Sequence, residues 1–430
     1  MKAIQTQLSI LLLLALPLLG LAQQKTHVPD DNFENYIEMY YGGDGIANND
    51  SVFTANINTV TLMYVDNMNI SSLKGIGGFA ALEILNCFEN KLDSLDVSAN
   101  TALKKIRCSD NQLTSLDVGA NTALELLNCY DNKLTSLNTT GAIALESIGC
   151  NNNQLTSIDV SANTALISLT CYNNLLTSLD VSTNTALTGL FCYTNPFTNG
   201  LDVSNNIKLE YLECGGNQLT TLDLTGLSDL VYLTCGGNAL TSLDLSTNTA
   251  LEVLGIGGSQ ITTLDLSNNT NLKRLGFTHS QLSSLNLNLN LNLEDLNCSH
   301  NALTALDLRY NTALTDLVCS SNQLTSLDIR NGNNTNIASR FNAKGNPNLT
   351  CISVDDVAWS QSNWVDVDAQ TNFSADCAIN SIEEIKPTTK KPIKVVNVLG
   401  KTIENPKSNE MLFYIYKDGS VEKKIIITNG

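Results

Sequence analysis

The chain of 430 residues is short of positive charge: 24 Lys and Arg stand against 42 Asp and Glu, a formal net charge of -18. Nucleic acid and anionic membrane surfaces are polyanions that reward Lys and Arg, so neither is expected as a partner. Histidine is scarcer still, with three residues, and aromatics make up only 6%. No Ser/His/Asp order, metalloprotease motif or phosphate-cradling glycine loop is present. Catalysis is therefore not expected, and no catalytic residue is assigned. Long apolar runs are also missing beyond the first twenty residues. The run from Leu8 to Leu19 follows Lys2 and precedes small residues at Gly20 and Ala22. It is too short for a comfortable membrane span and reads as a signal peptide over residues 1–22, cut after Ala22. The expectation is a secreted or outer-surface protein in oxidising surroundings, without a transmembrane segment.

What the chain has is a repeat. Cysteines stand at 87, 108, 129, 150, 171, 192, 214, 235, 298 and 319, in steps of 21 residues apart from one of 22 and one of 63. Ile256 and Phe277 hold the missing places, which gives twelve units in register from about Leu82 to Ile329. Each reads L-x-x-L-x-C-x-x-N-x-L-T-S-L-D-V-S-x-N-T-A, as in Leu103, Ile106, Cys108, Asn111, Leu113, Leu116, Val118 and Asn121. This resembles the leucine-rich repeat signature L-x-x-L-x-L-x-x-N-x-L, with Cys in the third apolar place. The resemblance implies a solenoid of parallel strands. The residues support it separately: Leu-x-Cys alternates as a short strand does, and a unit of 21 residues cannot bury its apolar face alone. Stacking about twelve coils about 4.8 Å apart solves that. The fold class expected is a β-rich solenoid over residues 82–335, capped at both ends, with a small β segment at the C-terminus. The second half, "LTSLDVS", also alternates and is read as β-rich.

The ten repeat cysteines allow three readings. Disulfides between coils require converging side chains, yet equivalent positions point the same way. A metal cluster requires thiolates, which apolar burial disfavours. The reading preferred here is a small buried hydrophobe, replaceable by Ile256 and Phe277. An asparagine row, Asn90 to Asn322, should satisfy backbone groups where each coil turns; Ser259 and Ser280 replace it where Cys is lost. A third row, running from Asp96 and Asp117 through Asp159 to Asp328, faces solvent. It needs hydrogen bonds from Ser and Thr or bound calcium, the one cofactor contemplated.

Outward positions beside Leu and Cys vary while the core does not. Phe88, Tyr130, Tyr172, Phe191, Tyr193, Tyr211 and Tyr232 form an aromatic stripe, and Gly215, Gly236 and Gly257 take over its column. Such a stripe can dock an extracellular protein or a polysaccharide; alternatively, aromatic pairs only stabilise the sheet. Lys104, Lys105 and Arg107, with Lys273 and Arg274, could meet an acidic partner or line a solvated rim. His279 and His300 should lie near each other, which is a weak metal signal.

Residues 23–81 read as an N-terminal cap with a helix near Asp31 to Tyr40, joined by a degenerate first coil of Val60, Met63, Val65, Ile70 and Leu73. Its "GGDGIANND" loop lacks the spaced acidic ligands of a calcium loop. After Ile329 the register fails, and residues 336–380 read as a C-terminal cap closed by a Cys351–Cys377 disulfide, worth about 3 kcal/mol in the chain-entropy model. Residues 381–430 hold three strands and a turn at Asp418-Gly419. Their order, "VVNVLGK", "LFYIYKDG", "EKKIIIT", resembles the C-terminal sorting domain of type IX secretion cargo, without its early Pro-Asn-Pro motif. The resulting expectation is a secreted or surface leucine-rich repeat binding module. The alternative is a structural scaffold stiffened by calcium.

Overall fold

The computed structural model describes residues 24–198, 200–338, 340–377, 393–397, 401–403, 411–417 and 421–425. The expected signal peptide and the Asp418-Gly419 turn lie outside them. The described chain forms two units, Met1–Ala375 and Asp376–Gly430.

The larger unit is a solenoid whose main sheet has 14 parallel strands in sequential order, from Leu62–Tyr64 to Arg340–Asn342. Each strand is three residues long, and its central side chain enters the core: Ile106 aligns with Leu85 before it and Leu127 after it. Stacking removes these residues from water completely, so Leu103, Ile106, Cys108 and Leu113 are each fully buried. A buried apolar side chain of this size contributes about 1.5–3 kcal/mol relative to exposure. The ten repeat cysteines are free and buried. Burial pushes the Cys108 and Cys150 thiols up to about 12, so they remain protonated and behave as packing residues.

Backbone groups at the turns are closed by side chains. Asn174 donates from Nδ2 to the carbonyls of Cys150 at 3.0 Å, Cys171 at 3.1 Å and Tyr172 at 3.3 Å, while its Oδ1 accepts from Leu155 N–H at 3.0 Å. One amide thus joins two coils at four backbone groups that water cannot reach. A second asparagine row works at the opposite corner: Asn121 donates to Val97 and Asn100 carbonyls. Where the first row becomes Ser259 and Ser280, their hydroxyls lie 3.2 Å apart and bond to each other.

The second half of the repeat forms strands in part. Ser115–Asp117 pairs with Ser136–Asn138, and a four-stranded sheet runs through Ala305–Asp307, Ser326–Asp328, Cys351–Ser353 and Asn372–Ser374. The first coil is the degenerate one, with Met63, Val65, Ile70 and Leu73 in the core.

At the other end the expected loss of register does not stop the sheet. Arg340–Asn342 pairs with Asp316–Val318, with Phe341 beside Leu317. The extra residues are taken up by a 3-10 turn at Asn334–Asn336, and Ala343 and Asn346 then occupy the Cys and Asn places. Asn346 bonds to the carbonyls of Cys319 and Ala343. The coil was illegible as a repeat because the insertion and Ala343 conceal it. Twelve in-register units thus extend to 14 sheet strands. Both tryptophans close this end: Trp364 stacks on Phe341 at 4.0 Å, and Trp359 meets Trp364 edge-on at 5.8 Å.

The N-terminal cap holds the helix Asp31–Tyr41, with Asp30 accepting from Asn32 and Phe33 N–H and Gly42 ending it in the left-handed conformation, φ 72°. Asp30 also takes Ser71 and Ser72 N–H, tying the helix to the first coil. Cys351 and Cys377 are disulfide-bonded. The smaller unit is an antiparallel sheet of Lys394–Asn397, Met411–Ile415 and Val421–Ile425, which carries the three strands expected there.

Replacing Asn174 by Ala leaves buried carbonyls and the Leu155 N–H without partners. A loss of about 3 kcal/mol in denaturant unfolding is expected; a loss near zero would remove the asparagine row from the stability account.

Candidate ligand-binding face

In every coil the chain leaves the strand through a residue with positive φ, two places after the Cys column, from Asn67 and Glu89 through Asp110, Thr194, Gly216 and His279 to Ser321 and Gly345. Asn and Asp accept this left-handed backbone best after glycine, and this corner sets the edge of the outward sheet face. The residue just after Cys projects beside it.

The aromatic stripe divides on this frame. Tyr172 and Tyr193 stack in adjacent coils with centroids 4.2 Å apart and rings 9° from parallel. Tyr211 and Tyr232 occupy a different column, at the start of their strands, and approach to 6.3 Å at 32°. Phe88 and Tyr130 are separated by Ser109 in the coil between them. Phe191 lies over its own strand, so close that a Cβ at Gly189 would come within 3.0 Å of its ring. The seven residues share one face, four of them in two ring pairs.

Beyond Tyr193 the column turns to glycine. Gly215, Gly236 and Gly257 follow Tyr193, while Gly216, Gly237 and Gly258 follow Thr194. The turn bonds from Thr194, Gly216, Gly237 and Gly258 N–H are 2.7–2.8 Å, as is that from Ser321. The equivalent bonds from Glu89 to Asn173 are 3.0–3.2 Å. A Cβ on Gly236 would meet the Gly257 carbonyl oxygen at 2.4 Å, so glycine is required there. The glycine stretch spans three coils, about 15 Å. Its far end is closed by His279 and His300, stacked at 4.2 Å.

A cavity of about 410 Å³ opens at the Tyr193 end, lined by Tyr193, Thr194, Glu213, Gly215, Gly216, Thr234, Gly236 and Gly255. Burial pushes the Glu213 carboxyl above the usual range. Burial, together with the Tyr172 hydroxyl, pushes Tyr193 up to about 12. The sequence reading identified the tyrosines and glycines but passed over Glu213 and Thr234, whose positions vary from coil to coil and carry no motif.

The basic residues are rungs of pairs along the solenoid. Lys104 meets Glu83 and Lys273 meets Glu252, each at 2.8 Å and each half-exposed. Arg107 donates to Asn86.

On the second face the acidic row binds its own backbone. Asp96, Asp159, Asp180, Asp202, Asp223, Asp244 and Asp265 each accept the N–H two residues on at 2.9–3.0 Å. The Ser98 and Ser161 hydroxyls and backbone N–H hold Asp96 and Asp159 below the ordinary carboxylate range. Asn138 and Asn286 accept the same bond in their coils, so the turn needs an oxygen and not a charge. A groove of about 1030 Å³ lies beside the first rungs, lined by Asp96, Asp117, Asn138 and the small residues Gly77, Ala99, Ala120 and Gly141.

The N-terminal cap brings Asp31, Glu34 and Asp50 within 4.8 Å of one another, the one such group among the described residues. Glu34 is fully buried, and its oxygens accept Asn49 and Asp50 N–H. Its carboxylate holds the loop from within. Glu38 does the same for Asp44 and Gly45.

No family model and no curated protein matches the chain. Solved structures do match. The functional domain of InlJ from Listeria monocytogenes, which includes a cysteine ladder, is 25% identical over 94% of this chain and 99% of its own length, with a TM-score of 0.56. An internalin, InlF from the same species, is 22% identical over 82% and 98%, at 0.56. The plant peptide hormone receptor RGFR1, in complex with RGF2, is 19% identical over 70% and 57%, at 0.56. The fold is therefore the leucine-rich repeat solenoid, and it matches binding and recognition proteins rather than enzymes. Among the described residues no helix is long and apolar enough to cross a membrane.

Asp159→Asn, which keeps the oxygen but loses the charge, is expected to lower the melting temperature slightly and Asp159→Ala to lower it further. Because the folded carboxyls titrate below their unfolded values, their stabilisation is full above the unfolded carboxylate range and is lost as pH falls through the lower folded values. Melting curves taken down through that range should show the loss. Calcium added to chelator-treated protein is expected to leave the melting point in place; a rise would put calcium on the row.

Proposed function

We propose that the chain is an exported binding module, displayed or released outside the cell, that docks a protein partner on the outward sheet face around the tyrosine pairs and the glycine floor. One observation carries this reading. The core columns repeat with few changes, Ile256 and Phe277 for Cys and Ser259 and Ser280 for Asn among them, while the outward columns gather rings and glycines beside one cavity. The glycines answer to the close approach of their own coils, but nothing in the stacking requires the ring pairs beside them, since other coils carry Ser, Asn or Thr in the same columns. Leucine-rich repeat neighbours bind proteins or peptides, the receptor in complex with RGF2 among them, and this supports a protein partner over a polysaccharide. Adhesion is the role that suits such a module on a cell surface.

The competing account is that the rings only stabilise the sheet, each pair contributing about 0.5–1.5 kcal/mol. The chain with Tyr172, Tyr193, Tyr211 and Tyr232 all changed to Ala separates the two. Loss of capture of surface-protein partners, with the solenoid still folded by circular dichroism, is the expected result. Capture that survives all four changes would make the stripe structural. Export through the C-terminal strands is tested separately: deleting residues 381–430 should abolish surface delivery, and unchanged delivery would refute the sorting role.

A further inference from the structure

We infer that the cavity between Tyr193 and Thr234 receives the cationic end of a Lys or Arg side chain from an extended segment of the protein partner; this rests on the docking face proposed above. The first ground is Glu213. Its side chain is half-buried in the third place of the strand Tyr211–Glu213, and among the described residues no hydrogen bond or ion pair engages it.

Asp295 is another half-buried carboxyl pushed up by burial, but Arg340 and Arg274 act on it. Glu83, Glu252, Asp307, Asp328 and Asp366 each face Lys or Arg, and the exposed acidic row is held by neighbouring N–H groups. A carboxylate drawn out of water without a partner is costly, and a bound cation removes that cost. The strand-start cation Arg274 aligns with Asp295 in the next coil and acts on that carboxyl and on Tyr232, whereas burial alone shifts Glu213.

The second ground is the ring geometry. Tyr193 has one face against Tyr172 and borders the cavity with the other, because Gly215 supplies no side chain to continue the stack. Tyr232 stands within the electrostatic reach of Glu213. An aromatic face beside a carboxylate is the setting that attracts an ammonium or guanidinium group, by cation–π attraction and a charge-assisted hydrogen bond together. Thr234 adds a hydroxyl. The third ground is the floor. Gly215, Gly216, Gly236 and Gly255 let a partner's backbone approach the coils closely enough for one side chain to reach Glu213. An anionic group would be repelled by Glu213 and by a chain of net charge -18.

The test uses the full chain and three capped pentapeptides that differ only at the central residue: Arg, norleucine or Glu. Binding is read by ligand-observed NMR. The Arg peptide is expected to bind and the other two to fail. Glu213→Gln should weaken Arg-peptide binding about tenfold, the size of one charge-assisted hydrogen bond. Tyr193→Ala should weaken it about fivefold, in the range of one cation–π contact.

Asp244→Asn removes an equal charge from the other face and should leave binding unchanged. Unchanged melting curves and circular dichroism exclude misfolding of each variant. Equal weakening by Glu213→Gln and Asp244→Asn would reveal bulk attraction and overturn the inference, as would full binding by Glu213→Gln. Binding of maltotetraose that needs Tyr193 but not Glu213 would give the cavity to a neutral sugar. Partner capture that needs the tyrosines but is indifferent to Glu213→Gln would leave the docking face standing and remove only the cationic anchor.

Discussion

The structure depends on one hydrogen-bonding constraint: a coil of 21 residues must turn inside its own core, and the turning backbone has no water to bond. The asparagine rows meet it. An amide carries two donor hydrogens and an acceptor on a short side chain, so Asn174 can serve carbonyls of two coils and an N–H of the earlier one. Asn121 and its counterparts serve the other corner, although Oδ1 of Asn121 and of seven others has no partner among the described residues. Their Nδ2 bonds carry that corner. Cysteine belongs to the same arrangement, since a small, protonated, apolar side chain fits beneath the corner that the amide closes.

Because stacking is satisfied by inward columns, outward columns are released from the fold. That freedom is where recognition can be placed. Pairs such as Lys104 with Glu83 and Lys273 with Glu252 show ordinary use of the freedom: charges at coil spacing neutralise one another in solvent. The segment from Tyr172 to His300 uses it differently. Rings stack, side chains vanish from one corner over three coils, and Glu213 is left half-buried with no partner among the described residues.

The repeat was legible because its period is carried by residues with no alternative role: Leu103, Ile106, Cys108 and Asn111 recur with the coil, and the structure buries them as expected. Ser259 and Ser280 were legible as a local change and proved to be a bonded pair of hydroxyls. The fourteenth strand was hidden, since Phe341 and Ala343 match the pattern only after an insertion that the sequence does not mark. In the site, Tyr172 and Tyr193 were visible as a periodic pair. Glu213 was not, because a carboxylate in an acidic chain is unremarkable until its burial and lack of a partner are seen.

By itself, the sequence determined the solenoid, the core identity of the ten cysteines and the helix near Asp31 to Tyr40, while the choice of Asp30 over Asp31 as its cap came from the structure. These follow from periodicity and from local bonds that span a few residues, and both are properties of order along the chain. Only the tertiary structure decided which outward residues meet. The ring faces of Tyr172 and Tyr193, the glycine floor and Glu213 become neighbours through coil-to-coil distances near 4.8 Å, and the desolvation of one carboxylate is a sum over residues from several coils that no single stretch of sequence contains.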